Sequence, residues 1–295
     1  MAWKLTAGCK VNLYLNIVGV RGDGYHEIES LFYPLPAPCD ILSVDEIEGE
    51  GLRLSCSQAA LATEENIVAR AYHAYGQTTG FAPGLAIHLR KNIPMGAGLG
   101  GGSSDAAVLL TWLNARAGAR ALTQGDLAGV ALSLGADVPF FLRNEPAWVT
   151  GIGERLEPVA CDLDEYTVLV VCPSVHVNTR WAYGRWDAMN AEGRVRSRKG
   201  LTLENSPIMS LCFTKLPKLW NGFEEIVFQE FPILYGIKKQ ILEHCADACV
   251  MSGSGSSFVA LFASSACAMR CAREMRAQGH VCHGTKFGKP FCLDS

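Results

Sequence analysis

The stretch with the clearest chemical promise is Pro94-Met95-Gly96-Ala97-Gly98-Leu99-Gly100-Gly101-Gly102-Ser103-Ser104-Asp105-Ala106-Ala107, where five glycines fall within seven residues. Glycine lets a backbone take positive φ and come close to a ligand. The N–H groups that open a helix lack internal partners and carry partial positive charge. A glycine-rich loop running into a helix is therefore a phosphate cradle. A plain strand-to-helix turn needs one or two glycines, and five would only add entropy to the unfolded chain. The loop holds no lysine, so it is not a Walker A loop. Gly96-x-Gly98-x-x-Gly101 also fits the dinucleotide fingerprint. That fold wants an acidic residue after a second parallel strand about 20 residues on; here the next segment reads as a helix.

Two further residues have the chemistry to act on a hydroxyl. Asp137 lies in Leu134-Gly135-Ala136-Asp137-Val138-Pro139, where the glycine ends a helix and the proline stiffens the chain beyond it. A carboxylate held in such a turn can orient or deprotonate a hydroxyl. Lys10 stands on the polar face of an alternating segment. Taken singly, they read as a helix-end aspartate and an exposed strand lysine. As a pair they gain weight, because an ammonium favours a charged carboxylate nearby and polarises a hydroxyl.

Metal chemistry is a weaker reading. The chain has 12 cysteines but no Cys-x-x-Cys. Cys245/Cys249 and Cys267/Cys271 are spaced four apart, so each pair is expected to share a helix face. Zinc would draw on them with His244, Cys282 and His283, but the paired spacing of zinc knuckles is missing. Buried, reduced thiols acting as small hydrophobes fit better.

Positioning these residues requires a mixture of strands and helices. Residues 10–18 alternate, with Val11, Leu13, Leu15 and Ile17 on one face and Lys10, Asn12, Tyr14 and Asn16 on the other, which predicts a half-buried strand. Arg21-Gly22-Asp23-Gly24 is a turn. Strands are expected at 27–33, 40–47, 85–89, 167–172 and 258–262. Helices are expected at 64–75, 105–115, 124–134, 233–245 and 266–278, with Thr123 capping the third and Gly135 stopping it. The polar stretch 191–205, with Arg194, Arg196, Arg198 and Lys199, reads as a solvated loop.

The 295 residues suggest two domains, with a boundary near 154–164. Hydrophobic residues make up 49% and charged residues 19%, enough for a core and against disorder. A net charge of −3 sets against a general nucleic-acid binder. Residues 248–269 carry no charge over a membrane-spanning length, but the serines and glycines from Ser252 to Ser257 predict a turn, a buried strand and a helix start. No apolar signal segment precedes Lys4, so a cytoplasmic protein with no membrane partner is expected. Strands and helices mix without strict βαβ repetition, which points to α+β.

The glycine loop, Ser103-Ser104-Asp105-Ala106-Ala107 and Met251-Ser252-Gly253-Ser254-Gly255 resemble the nucleotide loop and third motif of the GHMP small-molecule kinases. Lys10-Val11-Asn12-Leu13, Arg21-Gly22-Asp23-Gly24-Tyr25-His26 and the Asp137 segment narrow the resemblance to the branch that takes a cytidine diphosphate methylerythritol in the non-mevalonate isoprenoid route. It extends from Lys10 to about Leu261.

The resemblance implies an N-terminal domain over 1–157, like the second domain of ribosomal protein S5, and a ferredoxin-like C-terminal domain over 158–295. It implies ATP and Mg2+, with ATP held by Pro94, Met95, Gly96, Ala97, Gly98, Leu99, Gly100, Gly101, Gly102, Ser103 and Ser104. Ser104 is also the candidate metal ligand. It implies Lys10 and Asp137 as the catalytic pair with Asp137 as base, Asn12 facing the substrate, Tyr25 and His26 holding cytosine, and Tyr183 and Thr179 beside them. A monomer or weak homodimer is expected. Gly8-Cys9 replace the family's Pro-Ala, Gly222 in Asn221-Gly222-Phe223-Glu224 replaces an aspartate, and residues 184–220 match poorly. Two rivals remain: a nucleotide sensor of the same fold without turnover, and a sister kinase for homoserine, mevalonate or galactose.

Overall fold

The computed structural model describes residues 3–193, 219–286 and 288–291. Its strands are β1 (Trp3–Val20), β2 (His26–Glu50), β3 (Leu52–Cys56), β4 (Pro83–Arg90), β5 (Ala147–Thr150), β6 (Arg155–Pro158), β7 (Thr167–Cys172), β8 (Trp220–Asn221), β9 (Ala248–Met251), β10 (Phe258–Phe262), β11 (Val281–Lys286) and β12 (Lys289–Phe291). Its helices are α1 (Ile67–Thr79), α2 (Gly101–Arg116), α3 (Gln124–Leu134), α4 (Val138–Arg143), α5 (Thr179–Ala191), α6 (Glu224–Glu230), α7 (Pro232–Glu243) and α8 (Ser265–Ala277). The chain forms two compact units. The first comprises Met1–Cys9, Pro38–Met95 and Gly100–Glu145, and the second Lys10–Ala37, Gly96–Leu99 and Pro146–Ser295.

In the first unit, β4 pairs in parallel with β3 and antiparallel with β2 over Ile41–Glu50. The helices α1 to α4 pack on one another. Their contact faces are apolar, with Val68, Ala71, Tyr75, Leu110, Ala131 and Phe140 buried. Asn66 caps α1 by accepting from the Val68 N–H, and Thr123 caps α3 by accepting from the Asp126 N–H. Each cap satisfies a donor the helix cannot satisfy itself.

In the second unit a sheet runs β12-β11-β7-β10-β9 with antiparallel neighbours. The strands β7 and β10 are buried at every residue, which explains their continuous apolar runs. Also in this unit, β1 pairs with β8 at Tyr14 and Leu15, and β2 pairs with β5 at Ser30–Phe32.

Several expectations need correcting. The strands expected at 27–33 and 40–47 are one strand, β2. Pro34, Pro36 and Pro38 look like breakers, but residues two apart send their N–H groups to the same edge, so all three missing donors fall on one side. Strand β1 is not half buried: Lys10, Asn12, Tyr14 and Asn16 are each no more than 5% exposed. The second helix begins at Gly101, so the last four residues of the expected loop are its first turn. Asp137 directly precedes a short helix, α4, that the sequence did not suggest. Cys245 follows α7 and Cys249 lies on β9, so they share no helix face; Cys267 and Cys271 do share α8. No cluster of three metal-ligating side chains occurs among the described residues. The region 248–269 holds the expected turn, buried strand and helix start, preceded by a strand, β9, that was not expected, and among the described residues no helix is long and apolar enough to cross a membrane. Of the loop expected at 191–205, Arg194, Arg196, Arg198 and Lys199 lie outside the described residues.

Candidate active site

The glycines of the loop do three different jobs. Gly96, Gly98 and Gly100 have φ of 63°, 76° and 70°, a region that other residues rarely adopt. Gly98 also allows a close approach: a Cβ there would lie 2.0 Å from the Ser252 carbonyl oxygen, while one on Gly253 would lie 3.2 Å from the Gly98 Cα. The Ser252 hydroxyl donates to the Gly98 carbonyl at 2.9 Å, the Ser257 N–H to Ala97 O at 3.3 Å, and the Lys10 N–H to Leu99 O at 2.9 Å. The loop segment in the second unit is thus clamped by the Ser252–Gly253 turn and by β1. Gly101, in the first unit, serves packing, since a Cβ there would meet Ile93 Cγ2 at 2.8 Å. Gly102 is exposed, and a Cβ there would meet only Ile67, at 3.6 Å. Gly102 leaves room for an incoming group, and it lies in the first turn of α2, whose N–H groups have no partner within the helix. That combination fits a phosphate.

Both ends of the loop in the first unit are tied to one buried charge cluster. Lys91 pairs with Asp40 and, at 2.8 Å, with Asp105; the side chains are 5%, 0% and 2% exposed. Asp40 also accepts from the backbone N–H of Asn92 and Ile93, just before Pro94. Burial pushes the Asp105 carboxyl up to about 7, against the pull of Lys91. Ser104, next in the helix, is 1% exposed.

In the second unit Lys10 meets an amide and an aromatic ring. Its Nζ donates to Asn12 Oδ1 at 2.8 Å and lies 4.2 Å from the centre of the Phe32 ring. Asn12 Nδ2 donates to Ser30 Oγ at 2.8 Å, and the Asn12 N–H donates to Ser252 Oγ at 3.1 Å. Asn221 Nδ2 donates to the carbonyls of Met251 and Gly253, at 2.6 and 2.8 Å. Gly222, at the position of the absent aspartate, gives its N–H to Leu15 O at 2.8 Å. Asp137, in the first unit, precedes α4 without making a capping hydrogen bond to it. The Val138 N–H bonds Gly135 O at 3.1 Å, closing the tight turn that Gly135 and Pro139 suggested.

The aromatic residues also meet in the second unit. His26 and Tyr183 lie with ring centres 4.4 Å apart and planes 32° apart, and Trp186 meets the same imidazole edge-on at 5.6 Å. Phe223 braces Tyr183 edge-on at 4.9 Å. Tyr25 is 60% exposed, on a turn closed by the Arg21 N–H to Tyr25 O bond and by Asp23 accepting from the Tyr25 N–H. That N–H bond, with Arg21 beside it, holds the Asp23 carboxyl below its ordinary range. Thr179, at the start of α5, shares a 2.8 Å hydroxyl contact with Ser254.

Sequence reasoning missed Lys91, Asp40 and Asp187 as parts of these arrangements. Asp187 lies 2.7 Å from His26 Nε2. The one available signal was the spacing Tyr183, Trp186, Asp187, which puts three side chains on one helix face.

Comparison with known proteins agrees with this architecture. The models for the GHMP kinases N terminal domain and the GHMP kinases C terminal match residues 66–145 and 209–281. The 4-diphosphocytidyl-2-C-methyl-D-erythritol kinase of Solidesulfovibrio magneticus is 45% identical over 260 residues, covering 88% of each chain. That of Chlorobium phaeobacteroides is 40% identical over 264 residues, covering 87% of each. A crystal structure of 4-(cytidine 5'-diphospho)-2C-methyl-D-erythritol kinase superposes with a TM-score of 0.80 at 35% identity, over 96% of this chain and 98% of the other. A homoserine kinase from Cytophaga hutchinsonii shares the fold, with a TM-score of 0.65 at 18% identity over 96% and 93% of the two chains. The expected α+β, two-domain GHMP kinase fold is therefore present. With such identity along most of its length, the chain is a small-molecule kinase and belongs to the 4-diphosphocytidyl-2-C-methyl-D-erythritol kinase family of the GHMP kinases.

Proposed function

We propose that this kinase transfers the γ-phosphoryl group of ATP to the 2-hydroxyl of 4-diphosphocytidyl-2-C-methyl-D-erythritol, a step toward isoprenoid precursors. The observation that carries the reading is the 45% identity to a relative of that name over 88% of the chain. A division into domains over 1–157 and 158–295 belongs to the same reading and is supported by the two family models falling on either side of it.

Phosphoryl transfer asks a protein for positioning and charge stabilisation rather than covalent chemistry. The residues from Pro94 to Ser104 hold the ATP phosphates, with the left-handed glycines shaping the loop and the Gly102 backbone left open for contact. ATP supplies the phosphoryl group, and Mg2+ balances the phosphate charge. Magnesium commonly takes few protein ligands beside substrate oxygens; Ser104 is the residue that would hold it, and it lies almost fully enclosed in the first turn of α2. Asp137 accepts the proton of the 2-hydroxyl. Lys10 orients that hydroxyl and offsets negative charge as the bond to phosphorus forms. Asn12, bonded to Lys10, holds the ammonium in place and faces the substrate. Tyr25 and Tyr183 supply aromatic faces, His26 a hydrogen-bonding edge, and Thr179 a hydroxyl at the start of α5.

The deciding experiment is a coupled assay with ATP and a panel of acceptors. Turnover of the cytidine diphosphate substrate, with none of homoserine, mevalonate or galactose, is expected. ATP binding without turnover of any acceptor would favour a sensor, and turnover of another acceptor a sister kinase.

A further inference from the structure

We propose that Asp187 is a positioning residue that holds the His26 proton on Nε2, so that Nδ1 is presented as an acceptor to the exocyclic amino group of a cytosine. The inference rests on the reading of His26 as a base contact and adds what makes that contact selective. The contact at its root is the 2.7 Å approach of His26 Nε2 to Asp187 Oδ1. An ionised carboxylate only accepts hydrogen bonds, so Nε2 must carry the hydrogen. The neutral ring then has its lone pair on Nδ1. Among the described residues, the His26 side chain makes no other hydrogen bond.

The plane of the ring is set as well as its proton. Tyr183, Trp186 and Asp187 lie at i, i+3 and i+4 on α5, so one helix face supplies a stacking ring, an edge contact and the carboxylate. The imidazole is 10% exposed while Asp187 is 45% exposed, so the carboxylate sits at the solvent side. Cytosine offers an amino donor where uracil offers a carbonyl acceptor. A lone pair on Nδ1 meets the first with a hydrogen bond and the second with repulsion, and a polar group left unpaired in a closed site is costly.

The test uses the full chain as wild type, Asp187→Leu and Asp187→Asn. Nitrogen-15 NMR of the histidine rings reads the tautomer of His26. Calorimetry reads the dissociation constants of CMP and UMP, kinetics reads the KM for ATP, and thermal melting checks folding. We expect a wild-type ring protonated on Nε2 and a preference for CMP. In Asp187→Leu that preference should fall about tenfold with mixed tautomers, while the KM for ATP stays within about twofold. Asp187→Asn, whose amide oxygen can still accept the Nε2 proton, should retain most of the preference. A folded Asp187→Leu protein with the wild-type tautomer or the wild-type preference overturns the role of Asp187. So does a wild-type ring protonated on Nδ1. A wild-type protein that binds CMP and UMP equally overturns instead the reading of His26 as a base contact.

Discussion

In the first unit the buried polar groups leading into the glycine-rich segment are ionisable and ion-paired: Asp40, Lys91 and Asp105, all almost fully enclosed. In the second unit Asn12, which accepts from Lys10, leads into a neutral network of amides and hydroxyls with Ser30 and Ser252. The physical consequences differ. Enclosed charges stay buried only while every partner is present, and removing one strands the others. An amide or hydroxyl both donates and accepts, so a neutral network can reshuffle around a lost member. The charged cluster suits a rigid anchor, and it fixes the backbone of Asn92 and Ile93 on one side of the loop and Asp105 on the other.

The largest expected effect comes directly from this contrast. Asp40→Ala removes the acceptor of two backbone N–H groups and one partner of Lys91, and should cost about 3–5 kcal/mol of stability. Asn12→Ala in the neutral network should cost about 1–2 kcal/mol. Urea denaturation of both variants measures the difference, and equal losses would remove the distinction between the two regions.

The proposed mechanism makes Asp137 the base, and Asp137→Asn, which keeps the shape but removes that function, should lower kcat by about 10²-fold or more. Lys10→Met should do the same. Steady-state assays with ATP titrations check this; near wild-type kcat in either variant would remove that residue from the mechanism.

A smaller effect separates the packed glycines from the open one, Gly102. Gly98→Ala would put a Cβ 2.0 Å from Ser252 O at a φ of 76°, and should cost about 1–3 kcal/mol through strain and displacement of the turn. Gly102→Ala has room in the protein, so its melting temperature should hold while the KM for ATP rises several-fold. A Gly102→Ala protein with unchanged ATP affinity would move the phosphate contact elsewhere in the loop.

The smallest effect concerns pH. Burial, with Arg276 nearby, lowers the proton affinity of His283 below its ordinary value near 6.5. Below that value the unfolded chain takes up a proton that the folded ring resists, so stability falls as pH drops. His283→Gln should make the decline in melting temperature from pH 7 to 5 shallower. An unchanged slope would place the acid-sensitive group elsewhere.

Elements carried by local patterns were legible in the sequence. The strands Thr167–Cys172 and Phe258–Phe262 and the helix Gln124–Leu134 match their expected bounds. Apolar runs, a capping threonine and a stopping glycine act within a few residues of themselves. The glycine-rich turn into a helix was legible for the same reason, although the separate environments of Gly98, Gly101 and Gly102 were not. Those environments depend on Ser252, Ile93 and empty space, none of which a local pattern records.

The sequence by itself determined the α+β class, the family resemblance, and which side chains have the chemistry of a kinase. Only the tertiary structure decided what encloses them. Alternation along residues 10–17 looks the same whether the polar face meets water or a buried network, and it took Ser252, 240 residues away, to place Asn12 inside. His26 met Asp187 across 161 residues. Prolines 34, 36 and 38 broke the local strand pattern without breaking the strand. The reason is common to all three. Burial and long-range pairing are chosen by how distant segments pack, and packing overrides local propensity wherever enough surface is buried.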